Sequence, residues 1–96
     1  MISKRGLNTI VKGKSPDVAA EALAWYKVAR SARWECLADV RRNYPSADQV
    51  GGVLIFNIRN GRYRLIATVV YRKQKLYVKA LPTHKEYDRK EWMKWA

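Results

Sequence analysis

Between Val53 and Leu81 the chain carries three β-branched and aromatic runs, VLIFNI, YRLIATVVY and LYVKAL, with Asn60-Gly61 between the first two. Asn-Gly tolerates the two left-handed residues of a type I′ turn, whose twist matches that of the strands it joins. A hairpin is therefore expected, setting Arg59 opposite Arg62, Ile58 opposite Tyr63, Asn57 opposite Arg64 and Phe56 opposite Leu65. Lys73-Gln74 reads as a second tight turn, setting Arg72 opposite Lys75, Tyr71 opposite Leu76, Val69 opposite Val78, Ala67 opposite Ala80 and Arg64 opposite Thr83. The expected strands are 53–58, 63–72 and 75–82.

Side chains alternate between the faces of a sheet, and directly paired residues share one. The two turns then give one partition. Leu54, Phe56, Ile58, Tyr63, Leu65, Ala67, Val69, Tyr71, Leu76, Val78 and Ala80 fall on one face, which must be the core. Asn57, Arg59, Arg62, Arg64, Arg72, Lys75, Tyr77, Lys79 and Thr83 fall on the other, with Ile55, Ile66, Val70 and Leu81 among them. A slip of one residue would drive the arginines into the core, so the faces are well determined.

The rest of the chain supplies the cover. Ser3 can cap a short helix carrying Leu7, Ile10 and Val11, and Met1 and Ile2 read as the stub of an edge strand. Gly13-Lys14 breaks that helix. Ser15-Pro16-Asp17 opens a second, with Ser at the N-cap, Pro at the first helical position and an acid for the dipole. It runs to about Ala32 with Val18, Ala22, Trp25 and Ala29 along one side, at helical spacing. Leu37, Val40 and Tyr44 mark a third helix, and Trp92, Met93 and Trp95 a short amphipathic one at the end of the chain. The expected fold is α+β, a single domain over 1–96 with N-terminal helices packed on an antiparallel sheet. Cys36, the one cysteine, permits no internal disulfide and is expected buried and inert among Trp34, Leu37 and Val40.

Charge narrows the function. Twenty basic and eight acidic residues leave a net +12. From Gln49 to Lys85 there are eight Lys or Arg and no acid. A merely solvated face mixes signs; an unbalanced basic one with aromatics among it suits a phosphate backbone with bases stacking nearby. Asn57, Arg59, Arg62, Arg72, Lys73, Lys75, Lys79 and Lys85 are the expected RNA-binding residues. No stretch is long and apolar enough for a signal peptide or membrane span, and no helix joins a large apolar face to a Lys-rich one, so a cytoplasmic protein without a membrane partner is expected. The basic sheet has no clustered carboxylates to hold a catalytic metal, and no metal or cofactor is expected.

The same register sets Asn57, Arg64 and Thr83 side by side, and the chain then enters THKEYD at 83–88. His84, the only histidine, and Tyr87 are three apart and face the same way on a helical turn. With Arg64 near, they form a proton-transfer candidate, a phenol and a fixed cation. Cleavage of RNA through its own 2′-OH needs a base, an acid and cations for the charge developing on phosphorus. A non-catalytic RNA- or DNA-binding module using the same face is the alternative.

YRL at 63–65 and THKEYD at 83–88, with ISKR near the start, AWYK in the second helix, YPSAD at 44–48 and FNI at 56–58, resemble the HigB family in order and spacing along nearly the whole chain. That resemblance implies a RelE-superfamily toxin, a compact α/β fold, and a metal-independent endoribonuclease that cuts mRNA in the ribosomal A site of bacteria. It also implies neutralisation by a HigA-like helix-turn-helix antitoxin. The superfamily's YRL arginine falls on Arg64, the basic residue opening its C-terminal motif on His84, and the following tyrosine on Tyr87. Where RelE toxins carry lysines on the first hairpin strand, this chain has Ile55 and Asn57. The general base is left among His84 first, Tyr87 second, and Lys79 or Lys85 after them.

Overall fold

A computed structural model describes residues 4–96, with side chains from Leu7 onward; the edge-strand stub at Met1 and Ile2 and the Ser3 cap lie outside them. Three helices precede the sheet: α1 (Lys4–Val11), α2 (Pro16–Ser31) and α3 (Leu37–Asn43). Ser15 stands at the N-cap of α2 in extended geometry and Pro16 opens the helix, as expected. The Ser15 hydroxyl, however, bonds the Asp17 carboxylate rather than a backbone amide, and this is the first cause of that carboxyl's lowered pKa. Val18, Ala22, Trp25 and Ala29 are all buried along α2, joined by Tyr26.

The sheet is antiparallel throughout, in the order β1 (Asp48–Val50), β2 (Val53–Ile58), β3 (Tyr63–Val70), β4 (Lys75–Ala80). Leu54, Phe56, Ile58, Leu65, Ala67, Val69, Leu76 and Val78 are buried against the helices. Phe56 is the hub of that core, with Trp25, Tyr44 and Trp34 rings at 5.1, 5.4 and 6.0 Å.

The β2–β3 register is the expected one, Asn57 opposite Arg64 and Phe56 opposite Leu65. Asn60 and Gly61 are both left-handed, and the Arg62 N–H donates to the Arg59 carbonyl at 3.2 Å, which closes the turn.

Three sheet features differ from expectation. First, β1 was not anticipated: Gly51-Gly52 makes a further two-residue turn, with Val50 opposite Val53, and Gly51 takes φ 56. Second, β3 stops at Val70; a 3-10 turn (Tyr71–Lys73) and left-handed Gln74 complete a four-residue loop, so Val70 rather than Arg72 faces Lys75. The slip is two residues, an even number, so every side chain keeps its face. Third, a bulge opposite Ile66/Ala67 shifts the remainder of the β3–β4 ladder by one. A bulge reverses the alternation beyond it. Ala80 therefore leaves the core face, Leu81 turns into the main core, and Thr83 pairs with Tyr63 instead of Arg64.

Cys36 is also corrected. It is exposed at the N-cap of α3, because Trp34 takes the buried position and donates its Nε1 hydrogen to Asn43 at 2.9 Å.

The far face of the sheet is not uniformly open. Val53, Ile55 and Ile66 are buried there under Trp92, with Val50, Ala80, Tyr87 and Trp95 packed alongside. The tail predicted as an amphipathic helix is a 3-10 helix (Glu91–Trp95) that lays Trp92 on the sheet and leaves Met93 exposed. Among the described residues no helix is long and apolar enough to cross a membrane.

Candidate active site

The site begins with how the chain leaves β4. The Arg64 N–H donates to the Pro82 carbonyl at 2.9 Å, and the His84 N–H to the Arg62 carbonyl at 2.8 Å, so residues 82–84 are stitched onto the start of β3. A single helical turn follows, α4 (His84–Tyr87), with both bonds of a capping box at its N-terminus. Thr83 Oγ1 accepts from the Glu86 N–H at 3.2 Å, and Glu86 Oε1 accepts from the Thr83 N–H at 2.9 Å. The Thr-x-x-Glu spacing is the signature of this box. It identifies Glu86 as structural, and its carboxyl is lowered by the Thr83 backbone bond first and the Thr83 side chain next.

That turn carries Tyr87 to Arg64. The guanidinium lies over the phenol ring at 5.3 Å from its centroid. Trp92 stacks on Tyr87 in parallel, 5.2 Å away with planes 5° apart, and donates its Nε1 hydrogen to the Tyr87 carbonyl at 3.1 Å. A cation and an indole thus both pack on the ring. Burial pushes the Tyr87 phenol above its ordinary pKa; the Arg64 charge opposes this, and Asp48 and Asp88 add to it. The phenol therefore stays protonated at neutral pH and can donate a hydrogen.

On its other side Arg64 meets the hairpin turn. A Cβ at Gly61 would stand 3.2 Å from an Arg64 guanidinium nitrogen, so the side chain runs against bare backbone there. His84 is exposed, and its Nε2 lies 3.8 Å from the Asp88 carboxylate, one turn on. The structure thus brings Arg64 and Tyr87 into contact, with His84 on the same turn and its imidazole directed to Asp88. Asn57, paired with Arg64 across the ladder, is half-buried beside them.

The remaining expected RNA-binding residues are dispersed. Arg59 is drawn to α2: its guanidinium is 3.4 Å from Asp17 and 3.9 Å from Glu21, and its N–H donates to Glu21 at 2.9 Å. Arg62 is exposed and lines an open cleft of about 410 Å³ with Glu21, Arg59 and Asn60. Lys85 is exposed on α4. Arg72, Lys73, Lys75 and Lys79 lie exposed at the other end of the sheet. Trp92 was missed as a site residue; its placement five residues after Tyr87 gives no periodic signal, because a left-handed Lys90 lies between them.

A search among curated proteins found no match to the chain. A family model described as HigB toxin, RelE-like toxic component of a toxin-antitoxin system, matches residues 19–90. That span holds most of α2, all of α3, the whole sheet and the turn bearing His84 and Tyr87. A toxin of this kind implies an antitoxin partner, and the chain belongs to the HigB family of RelE-like toxins.

Proposed function

We propose that this toxin is an endoribonuclease that cleaves messenger RNA in the ribosomal A site, in the bacterial cytoplasm, without a metal. The observation that carries the reading is the packing of the Arg64 guanidinium on Tyr87, with His84 on the same helical turn. In the proposed step the RNA 2′-oxygen bonds to phosphorus as the bond from phosphorus to the 5′-oxygen breaks. The products are a 2′,3′-cyclic phosphate and a free 5′-hydroxyl.

His84 takes the 2′-OH proton on an imidazole nitrogen, as a general base does. Tyr87, held protonated, gives its proton to the leaving 5′-oxygen. Arg64, always charged, holds the scissile phosphate and stabilises the charge added in the transition state. Asn57, Arg62 and Lys85 hold the adjoining backbone. The partner that silences the toxin is a HigA-like helix-turn-helix antitoxin.

The test is single-turnover cleavage on programmed ribosomes. Arg64→Ala, His84→Ala and Tyr87→Phe should each lower the rate by about 10²- to 10³-fold while ribosome binding persists. Wild-type rates in all three would sink the site assignment. Binding with no cleavage in the unmodified protein would instead support the non-catalytic RNA- or DNA-binding module.

A further inference from the structure

The far face of the sheet has two ends, separated by the Trp92 cover on Ile66 and Val53. Arg64 stands at one. At the other, Tyr77 and Val70 are 43% and 44% exposed, two of the most exposed large hydrophobic side chains among the described residues. Tyr77 pairs with Thr68 and Val70 with Lys75, so both side chains share the face that carries Arg64. Thr68 is four residues along β3 from Arg64, roughly 13 Å at the rise of a strand.

The charge around Tyr77 is one-sided. Lys75 and Lys79 flank it on β4 and Lys73 lies in the adjoining turn, all exposed. The Lys79 ammonium sits 5.9 Å from the Tyr77 ring centroid. Among the described residues none of these three lysines is in an ion pair, in contrast to Arg59. An exposed aromatic ring among unneutralised cations is the arrangement that binds single strands, the ring stacking a base while the cations track phosphates.

We propose that Tyr77 and its lysines form a second, non-catalytic anchor for single-stranded RNA, distinct from the end that holds Arg64. The proposal rests on the RNA reading of this face and adds a stacking residue to it. The anchor holds the strand in place and contributes nothing to the bond being broken. Its effect is therefore on affinity and leaves the rate at saturation alone.

The experiment is fluorescence anisotropy with a short labelled oligoadenylate, alongside single-turnover cleavage at saturating ribosomes. Tyr77→Ala and Tyr77→Leu should weaken oligoadenylate binding by about 5- to 100-fold, the range of one lost base stack, while Tyr77→Phe keeps it. The saturated cleavage rate should not move in any of them. Tyr77-dependent binding by a protein that cuts nothing supports this anchor and removes the nuclease reading. Wild-type affinity in Tyr77→Ala, or full rescue by Leu, overturns the anchor. So does intact RNA binding combined with a weakened antitoxin complex, which assigns the surface to a protein partner.

Discussion

Arg64 is held by what lies on each side of it, the Tyr87 ring and the backbone of Gly61. Gly61 answers two demands at once. Its φ of +89° is a conformation that costs a side chain about 1–2 kcal/mol, and its missing Cβ leaves room for the guanidinium. Gly61→Ala should therefore lower stability by about that amount in urea unfolding. It should also slow cleavage beyond what the stability loss explains, because Arg64 is pushed off its seat. A variant with lower stability but an unchanged single-turnover rate would show that Gly61 serves the turn alone. Arg59 and Asn60, also left-handed, carry side chains there, and the Glu21 carboxylate bonded to the Arg59 N–H helps to hold the loop in that shape.

At the scale of the element, α4 is a single turn, too short to persist on its own. It depends on the Thr83–Glu86 box, on the His84 bond to the Arg62 carbonyl, and on Tyr87 lying against Trp92. The box makes the turn sensitive to acid. The Glu86 carboxyl is lowered from its ordinary 4.5 in the folded protein, so its contribution is fully present above that pH and is lost as pH falls through the lower folded value. In an NMR titration the Thr83 and Glu86 amides should shift with a midpoint below 4.5. A midpoint at or above that value would mean the box does not form in solution. Glu86→Gln should remove the acid transition, since an amide oxygen can accept the same bond without titrating.

For the whole molecule, the C-terminal segment is the piece that makes a two-sided sheet stable. Without Trp92, Val53, Ile55 and Ile66 would face water on the side opposite the helices. Trp92→Ala should cost about 3–5 kcal/mol, measured by urea unfolding, as large aromatic truncations at buried sites do. It should also release Tyr87 from one of its two neighbours and slow cleavage further than Met93→Ala, whose side chain is exposed. Equal effects from the two substitutions would show that the segment does not support the site.

Much of this architecture is written in local patterns. Asn60-Gly61 set the first hairpin register, and the alternation of apolar and basic residues assigned Phe56 and Leu65 to the core and Asn57 and Arg64 to the opposite face. The second register was open to error because a two-residue slip leaves every side chain on its face, so the pattern cannot distinguish Arg72 from Val70 opposite Lys75. Gly51-Gly52 makes the turn out of β1, but that strand is three residues long, too short for alternation to register. Arg59 was assigned to RNA on its charge, whereas its ion pairs lie with α2, some forty residues earlier in the chain. Turn chemistry and strand alternation act between near neighbours, and they determined the hairpin, the two faces and the side on which Arg64 stands. The bulge that turned Leu81 inward, the tail that roofed Ile66 and the meeting of Arg64 with Tyr87 were decided by tertiary packing, because each depends on which apolar surfaces remain to be covered once the strands have paired.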